Sequence, residues 1–448
     1  MLNVVWLMLF CGALVLSLLN GTVESVTGAV FSAAKDAVVV VALPLIGLTS
    51  FWLGFLRIAE AAGLVDALAR ALMPVLGRLF PEVPAGHPAL GAITLNMAAN
   101  MLGLGNAATP FGLRAMRLLE GLNPVKGEAS NAMCTFLAVN TASIQIIPAT
   151  AISILAANGA KNPSLVMGPS LVVSFIAFSA GIAAVKLLAP LFPSRAPVAE
   201  ETHDHPIALE PEAPASTDRA LRPLSVGWKA ALLLVTLLLS LSFIDQIFPG
   251  LLPSGLSLSG NKIATEEGLA VRILKGLSST ALPALLLIFP IYASGRGVRV
   301  YEQFVEGAKD GFETVKRIIP YLVAILVSVR MFREAGGIDA LARALGPLLA
   351  QIGMSTELLP MSLVRPLSGS ATTGLFTELV TKFGADSLVS RTAATIYGST
   401  ETTLYVLSVY FGSVNVRRGR QALPAGLVAD ITAVLASVWI CRWFFGAN

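Results

Sequence analysis

The stretch Asn96-Met97-Ala98-Ala99-Asn100-Met101-Leu102-Gly103-Leu104-Gly105-Asn106-Ala107-Ala108-Thr109-Pro110 decides how the chain is read. It carries three asparagines and two glycines inside apolar surroundings. Asn96 and Asn100 are four apart, so a helix stacks them on one face. Gly103 and Gly105 then free the backbone. Asn106 is placed to begin a second helix with Thr109 and Pro110 in its first turn. Helix, glycine break, helix at membrane depth is tolerated only where protein or water surrounds the bare backbone. Two readings are open. Broken helices of this kind hold small ligands or ions in transporters. Small residues also let helices pack closely, with asparagines hydrogen-bonding between them.

Composition supplies the membrane. The 448 residues are 55% hydrophobic and 13% charged, with a mean hydropathy of +0.76. A soluble domain carries about 25% charged residues. The expectation is an all-α polytopic membrane protein, with the lipid bilayer as its first partner. A net charge of +4 is too small to point to nucleic acid. Cys11, Cys134 and Cys441 fall in apolar stretches and are expected as small buried hydrophobes, forming neither a disulfide framework nor a metal knuckle. GxxxxGK[ST], HExxH and CxxC patterns do not occur, so no enzyme, cofactor or metal site is expected. An intramembrane hydrolase would need a base matched to a serine such as Ser370 on a recognisable motif. His203-Asp204-His205 lies in a Pro-rich polar segment and reads as solvated linker.

In chain order, spans are expected at 2–19, 37–56, 130–157 and 164–189, then at 226–248, 269–293, 318–332, 390–413 and 424–445. The first lacks a basic n-region and a cleavage site, so it reads as a retained helix. Residues 58–80 and 335–353 are amphipathic and suited to the membrane surface. Between 190 and 224 lie seven prolines, six acids and three arginines. That composition makes a flexible cytoplasmic linker between a first membrane half, 1–189, and a second, 225–448. Two spans are polar for their depth: one holds Asn140, Thr141, Ser143 and Gln145, the other Ser399, Thr400, Glu401, Thr402 and Thr403. Arg365-Pro366-Leu367-Ser368-Gly369-Ser370-Ala371-Thr372 forms a second interrupted polar element.

The halves repeat. Asp66-Ala67-Leu68-Ala69-Arg70-Ala71-Leu72 recurs as Asp339-Ala340-Leu341-Ala342-Arg343-Ala344-Leu345, each followed by a proline, Pro74 and Pro347. Ala34-Lys35-Asp36 recurs as Ala308-Lys309-Asp310. Seven consecutive identities in the same order of elements indicate a duplication. Arg417, Arg418 and Arg420 place the 414–423 loop in the cytoplasm. Counting back over one span at a time puts 296–317 and 57–128 there too, with 335–389 outside. The repeated unit then faces opposite ways in the two halves. The expected architecture is about nine transmembrane helices plus two broken re-entrant elements in an inverted-topology repeat.

The motifs carry a resemblance. Asn96 to Pro110, with Phe111-Gly112-Leu113-Arg114-Ala115-Met116, resembles the signature region of spore maturation protein A. Arg365-Pro366-Leu367-Ser368-Gly369-Ser370, with Tyr397-Gly398-Ser399-Thr400-Glu401-Thr402, resembles that of spore maturation protein B. The chain is similar to a fusion of the two over nearly its full length. The resemblance implies a multi-pass protein of the bacterial cytoplasmic (inner) membrane with a nucleoside-recognition, or Gate, domain in each half, similar to parts of concentrative nucleoside transporters and of the ferrous iron transporter B membrane region.

The candidate ligand-binding residues are Asn96, Asn100, Gly103, Gly105, Asn106, Thr109, Asn140, Thr141 and Gln145 in the first half. In the second they are Arg365, Ser368, Gly369, Ser370, Thr372, Ser399, Thr400, Glu401 and Thr402. Glu401 is the sharpest, because an acid inside a span costs about 2.5–3.5 kcal/mol on insertion scales and must face protein, water or a ligand. An ion pair with Arg365 is its alternative role. The hydroxyls have two readings, ligand contacts or back-bonding to helix carbonyls. The expected activity is carriage of a small polar solute, nucleoside-like or an ion. The alternative is a non-transporting membrane assembly or envelope/spore maturation factor that retains the fold. A homo-oligomer is compatible with either.

Overall fold

The computed structural model describes residues 2–103, 105–194, 222–248 and 268–446. Most of the linker, with His203 and His205, lies outside the described residues, as does the side chain of Asn106. The described residues are helical, with a single isolated bridge between Glu128 and Arg418.

Apolar α1 (Leu2–Asn20) turns at Gly21 into α2 (Val23–Asp36), which runs through a π-helical stretch (Ala37–Ala42) into α3 (Leu43–Ala61). The expected span 37–56 is therefore part of one 39-residue rod. Pro44 does not end it: it directly follows the π-helical stretch, whose wider turn accommodates the proline's missing N–H within the rod. Gly63, at φ 79°, starts the amphipathic α4 (Leu64–Leu76). A hairpin follows, α5 (Pro88–Met101) and α6 (Gly105–Gly121), then α7 (Asn131–Thr141), α8 (Ala149–Ala157) and α9 (Met167–Leu188). The second half opens with α10 (Val226–Ile247) and α11 (Leu269–Gly295). The basic stretch before 318 and the expected span 318–332 form one 35-residue helix, α12 (Val300–Glu334). Gly336, at φ 83°, then starts α13 (Gly337–Gln351). A second hairpin, α14 (Leu359–Val364) and α15 (Gly369–Phe383), precedes α16 (Leu388–Ser399), α17 (Thr403–Gly412) and α18 (Ala422–Phe445).

Five continuous helical elements are long and apolar enough to cross a membrane: Val23–Ala61, Pro163–Leu191, Val226–Ile247, Leu269–Gly295 and Ala422–Phe445. Even the shortest, at 22 residues, reaches roughly 33 Å, past the ~30 Å hydrocarbon core. The chain is a multi-pass membrane protein. Cys134 and Cys441 are buried as expected, whereas Cys11 is exposed on α1, where an apolar side chain facing lipid needs no burial in protein.

Two expected spans are not continuous. The 130–157 segment breaks between Thr141 and Ala149, and the 390–413 segment breaks between Ser399 and Thr403. Both breaks fall on the polar residues. The two halves thus repeat as long helix, left-handed glycine, amphipathic helix with an internal proline, hairpin, broken helix and long helix.

Corresponding helices pack antiparallel. Gly54 of α3 lies against Phe304 of α12, and Gly307 and Gly311 lie against Leu53 and Ser50. At the far end Arg330 Nη1 donates to Asp36 Oδ2 at 2.7 Å. Likewise Gly181 of α9 meets Ala429 of α18, and Arg420 Nε donates to the Phe192 carbonyl at 2.8 Å. Small residues at both seams let the backbones approach closely, the usual basis of helix association in lipid.

Candidate functional site

Pro148 lacks an N–H and biases Ile147 away from helical geometry, so α7 cannot run on into α8. In α16 the run Thr400-Glu401-Thr402 does the same work without proline. Bare backbone inside a membrane protein must find partners, and here the interrupted segments supply one another. The Glu401 N–H donates to the Thr141 carbonyl at 2.8 Å, joining the two breaks. Each break is also tied to the hairpin of its own half. The Ile146 N–H donates to the Met101 carbonyl at 2.9 Å, and the Leu404 N–H to the Pro366 carbonyl at 2.9 Å.

The first hairpin turns at Gly103, whose φ is 81° and where a Cβ would lie 2.8 Å from the Ile147 carbonyl oxygen. Only glycine allows that conformation and that approach together. In the second hairpin Ser368 caps α15, its Oγ accepting the Ala371 N–H at 3.2 Å. Gly369 brings the start of α15 against the Thr402 hydroxyl.

A cavity of about 220 Å³ lies where these pieces meet. Asn100 and Gly103 line it from the first hairpin, Gln145 from the first break, Arg365 and Gly369 from the second hairpin, and Glu401 and Thr402 from the second break. Gln145 Nε2 donates to Glu401 Oε1 at 2.8 Å. Arg365 does not take Glu401 as its partner. Its guanidinium stands over the Tyr397 ring, 4.7 Å from the centroid, and Nη2 donates to the Tyr397 carbonyl at 2.9 Å. Its Nε makes no hydrogen bond although the side chain is buried. The cavity wall therefore offers a carboxylate, two carboxamides and a guanidinium, with room for a small polar molecule between them. Roughly 300–1,000 Å³ is usual for drug-sized ligands, so this site suits a smaller one.

The remaining candidate residues sit elsewhere. Asn96 and Asn100 share a helix but not a role: Asn96 Nδ2 donates to the Ala108 carbonyl at 2.8 Å and to the Tyr410 hydroxyl at 3.3 Å, tying the hairpin together. Asn140 stands behind Asn100, accepting its Nδ2 at 3.2 Å and donating to the Phe136 carbonyl at 2.9 Å. Thr141 contributes its carbonyl to Glu401, as described. Thr372 and Ser399 turn their hydroxyls back to helix carbonyls, those of Ser368 at 2.6 Å and Thr395 at 2.5 Å. Gly105 begins α6, with Thr109 a turn further on; Ser370 lies in the first turn of α15, outside the cavity lining, and Thr400 is buried in the second break.

Sequence reasoning met Tyr397 only as part of a motif and passed over Thr49, Thr150 and Thr314; all four line the cavity. Tyr397 stacks on Phe376 at 5.7 Å and shares a 3.0 Å hydrogen bond with Thr373, so it holds Arg365 on a fixed platform. Its place directly before Gly398-Ser399-Thr400-Glu401 was the available signal.

Two hairpins and two interrupted helices converging on a polar cavity define a class of membrane protein built around a central site. Comparison with known proteins gives the family. The nucleoside recognition (Gate) family matches residues 42–158 and 315–417, the segments that contain both hairpins and both breaks. The chain is 43% identical to spore maturation protein A of Bacillus subtilis (strain 168) over 185 residues, 41% of this chain and 92% of that protein. It is 41% identical to spore maturation protein B of the same organism over 177 residues, 40% of this chain and 99% of that protein. The chain belongs to the spore maturation protein A and B family of Gate-domain membrane proteins.

Proposed function

We propose that the chain carries a small polar, nucleoside-like solute across the cytoplasmic membrane and binds it where the two broken spans cross. One observation carries this reading: Asn100, Gln145, Arg365 and Glu401 come from four separate elements and line one cavity. The Glu401 carboxylate accepts hydroxyl or N–H donors, while Asn100 and Arg365 donate. The match to the nucleoside recognition family agrees with such a solute.

The topology proposed with it has nine crossings: α1, α2–α3, α7–α8, α9, α10, α11, α12, α16–α17 and α18. Hairpins α5–α6 and α14–α15 are re-entrant, and the halves, protein A-like then protein B-like, form an inverted repeat. The antiparallel pairing of α3 with α12 and of α9 with α18 supports this, because a two-fold axis in the membrane plane pairs equivalent helices that way. The loops agree. Glu128 meets Arg418 at 3.1 Å on the side the basic residues assign to the cytoplasm. The Lys161 N–H meets Asp386 at 3.1 Å on the other. The hairpins then approach the cavity from opposite faces, the arrangement alternating access requires.

Uptake of radiolabelled nucleosides and nucleobases by proteoliposomes tests the reading. Saturable uptake by the wild type, lost in Glu401→Gln, supports it. The names of the relatives favour a second reading, a maturation factor that keeps the fold without turnover. Absence of uptake from every solute, with the protein folded and inserted, would select that one.

A further inference from the structure

The solute cavity leaves one buried acid unused. Asp430 sits on α18, 4% exposed, among the small residues Gly426, Ala429 and Ala433. Its Oδ2 accepts the Thr403 hydroxyl at 2.5 Å. The Thr400 hydroxyl is a further neighbour of the carboxyl, yet Oδ1 makes no hydrogen bond of full geometry. A Cβ at Gly426, one turn before Asp430, would lie 3.4 Å from Thr141 Oγ1 and 2.7 Å from Thr403 Cγ2. Asp430 is therefore set against the ends of both breaks, and it does not line the solute cavity.

The helix ends at this point have a definite polarity. α7 stops at Thr141 and α16 stops at Ser399, so two C-terminal ends carrying partial negative charge converge here beside Thr403, which opens α17; the Thr141 carbonyl already accepts the Glu401 N–H. Add a carboxylate with an unpartnered oxygen and two threonine hydroxyls, and the local chemistry is oxygen-rich. A bare carboxylate in that setting is costly. A hard monovalent cation satisfies the carboxylate oxygen and the hydroxyls together. The other charged groups near the solute side are Arg365, whose charge reaches Asp430, and Glu401 in the second break.

We propose that Asp430, with Thr403, Thr400 and the C-terminal ends of α7 and α16, forms a sodium-type cation site separate from the solute cavity. Cation occupancy would hold the two breaks together and so shape the cavity; this coupling rests on the carrier reading, whereas cation binding does not.

The test uses the full chain, purified in detergent and free of added solute. Radioactive sodium binding is measured by scintillation proximity, and melting is compared in sodium chloride and in N-methylglucamine chloride at equal ionic strength. The wild type should bind sodium saturably and melt higher in it. Asp430→Asn should lose both effects. Thr403→Val, which keeps the carboxylate but not its anchor, should weaken binding by about 10–100-fold, and it serves if Asp430→Asn fails to fold. No saturable binding by the wild type overturns the site. So does unchanged binding in a folded Asp430→Asn or in Thr403→Val, or binding that is lost in Glu401→Gln but kept in Asp430→Asn.

Discussion

Replacing Asn96 and Asn100 by alanine, one at a time, separates the glue from the site. They are one helical turn apart on α5, and a composition-based view treats them alike. Asn96 is fully buried and bonds the Ala108 carbonyl at 2.8 Å and the Tyr410 hydroxyl at 3.3 Å. Truncation removes one good and one long hydrogen bond and leaves a small void, so it should cost about 1–3 kcal/mol. The bond lost in Asn100→Ala, to Asn140 at 3.2 Å, lies beside a cavity that water can enter. Its stability cost should stay below about 1 kcal/mol. Solute binding should show the reverse order, lost in Asn100→Ala and retained by the folded fraction of Asn96→Ala. Melting in detergent and equilibrium binding on the same preparations decide it. If Asn100→Ala melts as early as Asn96→Ala and still binds normally, the assignment of Asn100 to the site is wrong.

Gly311→Ala should destabilise the α3–α12 seam by about 1–3 kcal/mol, because a Cβ there would lie 2.6 Å from the Ser50 backbone nitrogen; Gly346→Ala, in open space, should not, and thermal melts compare them. In the turn before α16, burial opposes the Asp386 charge, but the Lys161 N–H and Arg391 outweigh it and hold its pKa below the ordinary 3.8. A depressed carboxylate stabilises the fold above its ordinary pKa and loses that contribution as pH falls through the lowered value. Asp386→Asn should therefore melt earlier than wild type at neutral pH, with the gap closing in acid below the folded-state pKa. In a chain with Cys11, Cys134 and Cys441 replaced, Arg417→Cys should label only from the cytoplasm and Asp339→Cys only from outside; labelling of both from one face would remove the inverted repeat.

Much of this architecture is legible in the residues. The seven-residue identity at Asp66 and Asp339 announces the duplication, and its helices do start alike, each after a left-handed glycine. Both hairpins fall on the glycine-polar stretches. Hydropathy failed at the two broken spans, since Ile144, Ile146 and Ile147 keep the average apolar across a break made by Pro148. It failed again at α12, where charged and apolar surfaces share one continuous helix. Within the site, Glu401, Gln145, Arg365 and Asn100 stand out as polar groups in apolar runs. Their pairing does not, because it depends on which elements cross: Arg365 and Glu401 look like an ion pair until Tyr397 is seen beneath the guanidinium. Asp430 was invisible for the same reason, as its partner Thr403 is 27 positions away.

The most direct measurement is equilibrium binding of a panel of radiolabelled nucleosides and nucleobases to purified wild type and Glu401→Gln. The amide can still accept the Gln145 N–H, so the variant should melt within about 1 kcal/mol of wild type. Its affinity for whichever compound the wild type binds should fall by about 10- to 150-fold, the worth of a charge-assisted hydrogen bond. Saturable binding that survives unchanged in Glu401→Gln, or no binding of any member by the folded wild type, would contradict a nucleoside-like solute site at the crossing of the two breaks.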